Sequence, residues 1–159
     1  MAFNQRLTKE QARPKIRQYC AYQERCHQEV KEKLYGYGLY SKDVDLVLSE
    51  LIEENFLNEE RFAIQFAGGK FRVRQWGRKK ISYALKHKQV SPYCIKMALK
   101  QITEADYEKT LRHIAEKKWL SLKGEQWITR EAKTKNYLLQ KGYEPELISK
   151  IVKAIKSEN

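Results

Sequence analysis

The sequence predicts an all-α protein built from three tandem three-helix units. Apolar residues recur at helical spacing along most of the chain, and no stretch sustains the alternation of apolar and polar residues that marks a strand. The 159 residues include only seven glycines and three prolines, so few positions interrupt a helix. A pattern of apolar residues also recurs at a period of about fifty residues, which indicates repeated supersecondary units.

The repeat is clearest when Leu34, Leu85 and Leu138 are taken as equivalent positions. Further equivalent sets follow at the same distances from each leucine: Leu39, Val90 and Tyr143; Val44, Ile95 and Ile148; Val47, Ala98 and Ile151; and Leu48, Leu99 and Val152. Two of the three turns place a proline, Pro92 or Pro145, where a helix would begin and where its missing N–H costs nothing. The chain therefore repeats one helical pattern three times.

This alignment sets the predicted boundaries of the units. Residues 1–57 hold an N-terminal arm and the first unit, residues 58–102 the second unit, and residues 103–159 the third. A unit of about fifty residues buries too little surface to be comfortably stable alone. Neighbouring units must therefore bury each other's faces, and we expect an elongated, curved, modular array.

The first unit begins with residues 1–7, which we expect to form a loose arm. Thr8 and Gln11 have the spacing of a capping box that starts the first helix. Gly36 ends the second helix, and Ser41 starts the third. The inward positions are predicted from their helical spacing to be Ile16, Tyr19, Cys20, Gln23, Val30, Leu34, Val44, Val47, Leu48, Leu51 and Ile52.

The second unit is predicted to start at Asn58, whose side chain can accept a hydrogen bond from an orphan backbone N–H. Trp76 and Gly77 mark a break before a further helix. For Arg61 the sequence suggests a salt bridge to Glu59 or to a neighbouring unit. The core positions of this unit are predicted to be Phe62, Phe66, Ile81, Leu85, Ile95 and Leu99.

The third unit is predicted to start at Thr103, which has capping-box spacing to Asp106. Residues 119–126 form a longer join between its first two helices. Its buried side chains are predicted to be Tyr107, Leu111, Ile114, Ala115, Trp127, Tyr137, either Leu138 or Leu139, Leu147, Ile148, Ile151, Val152 and Ile155.

Charge is concentrated in the middle of the chain. The formal net charge is +12, of which residues 1–60 contribute −2, residues 61–103 contribute +11 and residues 104–159 contribute +3. Residues 61–103 contain eleven basic residues and no acidic one. A charge this localised indicates a polyanionic partner or an acidic protein surface, although a charge run is commonly no more than a solvated helical face.

The candidate binding surface is a positive strip with aromatic neighbours. Trp76 lies within it in sequence, although a tryptophan there is more often a packing residue. Such a strip can bind phosphate groups without reading sequence, and its arginines can equally pair with carboxylates of an acidic protein. Its candidate residues are Lys70, Arg72, Arg74, Arg78, Lys79, Lys80, Tyr83, Lys86 and Lys88.

The sequence offers no pattern of a catalytic or cofactor site. It contains no P-loop and no His-Glu-x-x-His, and Cys20, Cys26 and His27 lack both a fourth ligand and the spacing of a metal site. We therefore expect no enzymatic activity, no cofactor and no metal. Three cysteines are best read as reduced thiols, and no apolar run suggests a signal peptide or a membrane span, so we expect a cytoplasmic protein.

One stretch of about forty residues resembles the signature of the RecX family, the bacterial regulators of the RecA recombinase. The resemblance rests on Leu51-Ile52-Glu53-Glu54, Phe56-Leu57-Asn58, Arg61-Phe62-Ala63, Gly77, Ile81 and Leu85. The sequence departs from that pattern at Asn55, where a glycine is expected. Asparagine tolerates a left-handed backbone better than most residues, so we expect the turn to be kept.

The resemblance implies a fold of three tandem three-helix repeats and a function without catalysis. A RecX-like protein is expected to bind the RecA filament on DNA as a monomer and to inhibit filament extension, strand exchange and coupled ATP hydrolysis. Single- or double-stranded DNA is then contacted through the filament. Two alternatives stay open: a three-helix module that binds the phosphate backbone directly, and a helical scaffold for an unrelated acidic protein.

Overall fold

The computed structural model describes residues 5–158, and every regular element in that range is an α-helix, which confirms the all-α prediction. The predicted unit boundary at 57/58 falls in the loop between the third and fourth helices, and that at 102/103 falls in the loop between the sixth and seventh. The helices are α1 (Lys9–Tyr22), α2 (His27–Gly36), α3 (Ser41–Glu53), α4 (Glu59–Arg74), α5 (Arg78–His87), α6 (Pro92–Lys100), α7 (Glu104–Ser121), α8 (Trp127–Lys141) and α9 (Pro145–Ser157).

The predicted helix starts are confirmed by their caps. Thr8 and Gln11 form the reciprocal capping box, in which each side chain accepts from the other residue's backbone N–H, at 3.2 and 2.9 Å. The side chains of Asn58, Ser91 and Thr103 accept from the N–H three residues later, at 2.8, 3.2 and 3.2 Å. Each cap satisfies one of the donors that a helix N-terminus leaves open.

One type of turn follows the second helix of every repeat. Gly38, Gln89 and Gly142 all have left-handed backbones, with φ angles of 91°, 62° and 97°. The residue after each of them donates its N–H to the carbonyl oxygen five positions earlier, the acceptors being Leu34, Leu85 and Leu138 at 3.4, 3.1 and 3.2 Å. This is the 6→1 bond of a Schellman motif. The three leucines predicted to be equivalent therefore hold the same structural role.

By the density of its internal contacts, the chain divides into two compact units. We name these two the first unit and the second unit of the structure, as distinct from the three units predicted from the sequence. The first unit comprises residues up to 65 together with Leu85–Met97, and the second comprises Phe66–Ala84 together with the residues from Ala98 onward. Helices α4, α5 and α6 each contribute residues to both units.

The core of the first unit lies among α1, α2 and α3, which pack on one another. Tyr19, Tyr37 and Phe56 pack against its edge. Its buried side chains are Ala12, Ile16, Cys20, Val30, Leu34, Leu39, Val44, Val47, Leu48, Leu51 and Leu57.

Two expectations for the first unit are wrong. Ile52 and Gln23, both predicted to face inward, are exposed, Ile52 by 44%. The apolar stripe of α3 ends at Leu51, and α1 ends before Gln23. Arg6 and Leu7 are held rather than loose: Leu7 donates its N–H to the carbonyl oxygen of Tyr37 at 2.8 Å, and the Arg6 guanidinium lies 3.5 Å from the centre of the Tyr40 ring. The rest of the predicted arm, residues 1–4, lies outside the described residues.

In the second unit, α7, α8 and α9 pack on one another around large aromatic side chains. Tyr107, Trp119 and Tyr143 are fully buried, and the rings of Tyr107 and Tyr143 lie 5.1 Å apart. Phe71 of α4 stacks on Tyr107 at 6.0 Å. Ile148, Val152 and Ile155 of α9 are buried as predicted.

Two tryptophans of the second unit depart from the sequence interpretation. Trp119 falls in the predicted join, yet α7 runs through to Ser121 and buries it. Trp127, predicted to be buried, is 49% exposed and meets Trp119 edge to face at 5.4 Å. The buried position on this side of the unit is thus filled by Trp119. The remaining predicted core residues that are only half-buried are Phe66, Leu99, Tyr137, Leu147 and Ile151. Of the two alternatives Leu138 and Leu139, Leu138 is the buried one.

Candidate nucleic-acid and protein interface

The candidate strip starts where α4 ends and α5 begins. Gln75 leaves the helix with a left-handed φ of 56°, and the N–H of Trp76 then bonds the carbonyl oxygen of Lys70 at 3.2 Å. This turn lays Trp76 back along the last turn of α4. The predicted break at Trp76 and Gly77 is confirmed, and it brings the basic ends of two helices close together.

The start of α5 is fixed by the end of α8. Gly77 donates its N–H to the carbonyl oxygen of Lys141 at 2.7 Å, and Lys79 donates to that of Gly142 at 2.9 Å. These bonds pair donors that α5 leaves open with acceptors that α8 leaves open. The positive end of one helix dipole thereby meets the negative end of another.

Lys141 is consequently brought into the candidate strip, although the sequence interpretation did not include it. Its ammonium donates to the carbonyl oxygen of Arg74 at 2.9 Å. Burial lowers the pKa of Lys141, and the nearby charges of Lys80 and Arg74 lower it further. Nothing in the sequence pairs residue 141 with residue 74, because the two meet only through the docking of α5 on α8.

Trp76 lies among these cations. The ammonium nitrogens of Lys70 and Lys80 lie 5.0 and 4.7 Å from the centre of its ring, within the range of cation–π attraction. We name Lys70, Arg74, Trp76, Lys80 and Lys141 the basic cluster. No ion pair among residues 5–158 involves any of its four cations. Its charge is therefore not neutralised within the described part of the chain.

Arg78, another of the predicted candidate residues, differs from the basic cluster because its charge is paired inside the second unit. Its guanidinium bonds Glu144 at 2.8 Å and Glu104 at 2.6 Å, and it lies 3.8 Å from the centre of the Tyr107 ring. The hydroxyl of Tyr107 donates to Glu144 and accepts from the N–H of Arg78. Burial, reinforced by the bond to Glu144, raises the pKa of Tyr107. Arg78 is thus a structural residue of the second unit.

The other candidate residues are distributed over both units. Arg72, Lys79 and Tyr83 belong to the second unit and are exposed, Tyr83 by 73%. Lys86 and Lys88 belong to the first unit, where Lys86 is exposed and Lys88 is half-buried.

Arg61 is a structural residue of the first unit. Of the two alternatives that the sequence left open, Glu59 is not its partner. Its guanidinium bonds Glu24, which lies in the neighbouring predicted unit, residues 1–57. It also donates to the side chain and to the backbone carbonyl oxygen of Asn55, both at 3.2 Å. Asn55 has the predicted left-handed backbone, with φ at 64°. Arg61 therefore ties the start of α4 to the turn that ends α3.

Within the described residues, no group of three or more His, Cys, Asp or Glu side chains is arranged to hold a metal ion. No helix within residues 5–158 combines the length and the apolar character needed to cross a membrane.

The fold and the site define an all-α protein of repeated three-helix units that carries a positively charged aromatic cluster. Residues 58–99 match the second three-helix domain of RecX, and residues 105–152 match the third. These two segments make up more than half of the chain. The chain belongs to the RecX family.

Individual relatives agree with this assignment. A "Regulatory protein RecX" from Clostridium perfringens is 33% identical over 129 residues, which are 80% of this chain and 60% of that protein. One from Bacillus cytotoxicus is 24% identical over 140 residues, 88% of this chain and 52% of that protein. The chain thus spans 52% to 60% of the length of these curated relatives.

Solved structures show the same fold. The crystal structure of RecX from Lactobacillus salivarius superposes with a TM-score of 0.86 at 21% sequence identity, covering 93% of this chain and 96% of that one. A second RecX crystal structure gives a TM-score of 0.79 at 20% identity and covers 90% of this chain and 72% of that one. These likenesses support the predicted array of three-helix repeats.

Proposed function

We propose that this chain regulates the RecA recombinase by binding its filament on DNA. It acts as a monomer and without catalysis of its own, and it inhibits filament extension, strand exchange and coupled ATP hydrolysis. Membership of the RecX family is the observation that carries the proposal. The basic cluster supports it, because its four cations take part in no ion pair among residues 5–158, which suits a surface formed by DNA and an acidic protein.

The direct test is the DNA-stimulated ATPase of the recombinase from the same source. The protein is added well below one copy per recombinase subunit, in amounts too small to coat the DNA. Inhibition at that ratio is expected, since a regulator that stops filament growth acts at few positions. Full ATPase activity at that ratio, with strong binding of the protein to bare DNA, would overturn the proposal.

The contribution of the basic cluster is tested by the double substitution Arg74→Gln and Lys80→Gln. The Arg74 side chain is exposed and that of Lys80 is half-buried, so the fold should tolerate both changes. Inhibition is expected to need a much higher protein concentration. The matched control is Lys109→Gln with Lys117→Gln, which removes the same charge from exposed positions of α7. Equal inhibition by the two variants would remove the basic cluster from the proposal.

A second function is favoured by the same cluster: direct binding of the phosphate backbone by a three-helix module. Phosphate contacts release counterions, so the logarithm of the affinity falls with the logarithm of salt by about 0.7–0.9 per phosphate neutralised. Titration of bare DNA at several salt concentrations measures this slope. A steep slope that Arg74→Gln and Lys80→Gln reduce, with no effect on the recombinase, would favour this alternative.

A further inference from the structure

The first unit contains a groove that the proposed function does not use. It is an open concavity of about 610 Å³ between the C-terminal half of α1 and α2. An adjoining concavity of about 370 Å³ shares Lys15, Lys33 and Tyr37 with it. We name the larger concavity the tyrosine groove. Its lining consists of Lys15, Gln18, Tyr19, Tyr22, Arg25, Lys33 and Tyr37.

Helical spacing places four of these residues on one face of α1. Lys15, Gln18, Tyr19 and Tyr22 follow the i, i+3, i+4, i+7 pattern, and the first and last are separated by about 10 Å along the axis. Their side chains stand above the core that Ile16 and Cys20 form beneath them. The face therefore rests on packed side chains, and among the described residues its outer side forms the concavity.

Cations are interleaved with the tyrosines. The Arg25 guanidinium lies 3.7 Å from the centre of the Tyr19 ring and donates to the carbonyl oxygen of Tyr19 at 3.1 Å, which fixes that ring. The ammonium of Lys33 lies 5.3 Å from the Tyr19 ring and 5.8 Å from the Tyr37 ring. Tyr22, at the end of α1, is 82% exposed and presents an open aromatic face.

The charges of the groove favour an anion. Its lining contains Lys15, Arg25 and Lys33 and no carboxylate. Glu32 lines the adjoining concavity, and Glu29 lies 3.9 Å from Arg25. Burial raises the pKa of Tyr19 and of Tyr37, so both rings are neutral at physiological pH and do not repel an anion. Lys15 and Lys33 take part in no ion pair among the described residues.

We propose that the tyrosine groove binds single-stranded nucleic acid, with a base stacked on Tyr22 and phosphates beside Lys15 and Lys33. An acidic peptide would match the cations but would make no use of the aromatic faces. A duplex would match the cations but keeps its bases stacked inside. A single strand uses both features, because each of its bases has a free face for an aromatic side chain.

The proposal adds a second contact to the function proposed above, and its test uses no recombinase, so either can fail without the other. The full chain is titrated with a fluorescein-labelled oligodeoxythymidylate of about 10 nucleotides. Binding is measured as the rise in fluorescence anisotropy of the label. The measurements use Arg74→Gln with Lys80→Gln as the background, so that binding at the basic cluster does not mask the groove.

In this background Tyr22→Ala is expected to weaken binding by about fivefold or more, the effect of losing one stacked base. Tyr22→Phe keeps the aromatic face and should bind as the background does. The matched control is Tyr93→Ala, which removes another tyrosine of the first unit that is 63% exposed and does not line the groove. Equal affinities for Tyr22→Ala and Tyr93→Ala would overturn the proposal.

Cross-linking gives an independent readout of the place of binding. An oligonucleotide that carries 5-iodouracil is irradiated with the full chain, and the modified peptides are mapped. Cross-links at Tyr19, Tyr22 or Tyr37 are expected, and cross-links confined to residues 66–84 would overturn the assignment. Polyglutamate and a duplex of equal length serve as competitors. If Tyr22→Ala weakened the binding of either competitor as much as it weakens binding of the single strand, the proposal would also be overturned.

Discussion

Replacing Gly77 with alanine should strongly destabilise the second unit. A Cβ at residue 77 would lie 2.4 Å from both the carbonyl carbon and the carbonyl oxygen of Gly142, and 2.6 Å from the nitrogen of Tyr143. These are backbone atoms, which cannot rotate away as the end of a side chain could. The start of α5 must therefore move away from the end of α8.

The expected size of the effect follows from what that movement breaks. Two hydrogen bonds join the helix ends, at 2.7 and 2.9 Å, and losing each costs about 0.5–1.5 kcal/mol. Strain from inserting a methyl group into a packed contact adds about 1–3 kcal/mol. Together these terms lower the free energy of unfolding by about 2–6 kcal/mol.

The assay is urea denaturation followed by tryptophan fluorescence and by circular dichroism. Trp76, Trp119 and Trp127 all lie in the second unit, so fluorescence reports the unfolding of that unit, whereas circular dichroism reports helices of both. With a dependence of about 1–3 kcal/mol per molar urea, the fluorescence midpoint should fall by about 1 M or more.

A second glycine supplies the matched control. A Cβ at Gly69, in the middle of α4, would meet nothing within 4 Å. Gly69→Ala should therefore stabilise the protein by about 0.5–1 kcal/mol, the ordinary gain of replacing a glycine inside a helix. If Gly77→Ala unfolded at the same urea concentration as Gly69→Ala, the close approach of α5 to α8 would be refuted.

Three further predictions concern the first unit. Arg61→Lys should lower the free energy of unfolding by about 1–3 kcal/mol, because an ammonium cannot make all the hydrogen bonds of the guanidinium. Equal urea midpoints for Arg61→Lys and the unsubstituted protein, measured by circular dichroism, would contradict this. Burial raises the pKa of Cys20 and Cys26 to about 11. Both thiols should therefore react slowly with a disulfide reagent at about pH 8 until the protein is denatured. Fast reaction of these two thiols in the native protein would refute their burial. The hydrogen bond from Arg13 holds the pKa of Glu50 below its usual 4.5, so this bond stabilises the fold above that pH and the stabilisation is lost as the pH falls through the lowered value. Arg13→Gln should move the Glu50 titration upward in carboxyl NMR spectra, and an unmoved titration would show that the bond does not form in solution.

Local features of the fold could be predicted from the sequence. The caps at Thr8, Asn58 and Thr103 depend on residues three positions away, which a pattern reveals directly. The equivalence of the repeats could be predicted as well, because each repeats the same turn after its second helix. The prediction that Trp127 is buried is wrong because helical spacing shows which residues share a face but not which of two faces is covered.

The candidate site could be predicted only in part. A run of basic residues without acids indicated this segment, and in the structure Lys70 and Lys80 meet over the Trp76 ring. Arg74 lies near Lys141, beside them. The sequence could not show that the partners of Arg78 are carboxylates 26 and 66 positions further along the chain. Nor could it supply Lys141, which arrives through backbone hydrogen bonds that carry no side-chain signature.

The docking of α5 on α8 also has a consequence for how the protein is synthesised. The N–H of Gly77 leaves the ribosome well before its acceptor, the carbonyl oxygen of Lys141, has been made. At about 5–20 residues per second, the intervening chain takes roughly 3–13 s to translate. During that interval the start of α5 has no helix end to bind. The nascent chain thus exposes its most basic segment before the second unit can close, and this interval is one in which a chaperone or nucleic acid could engage it.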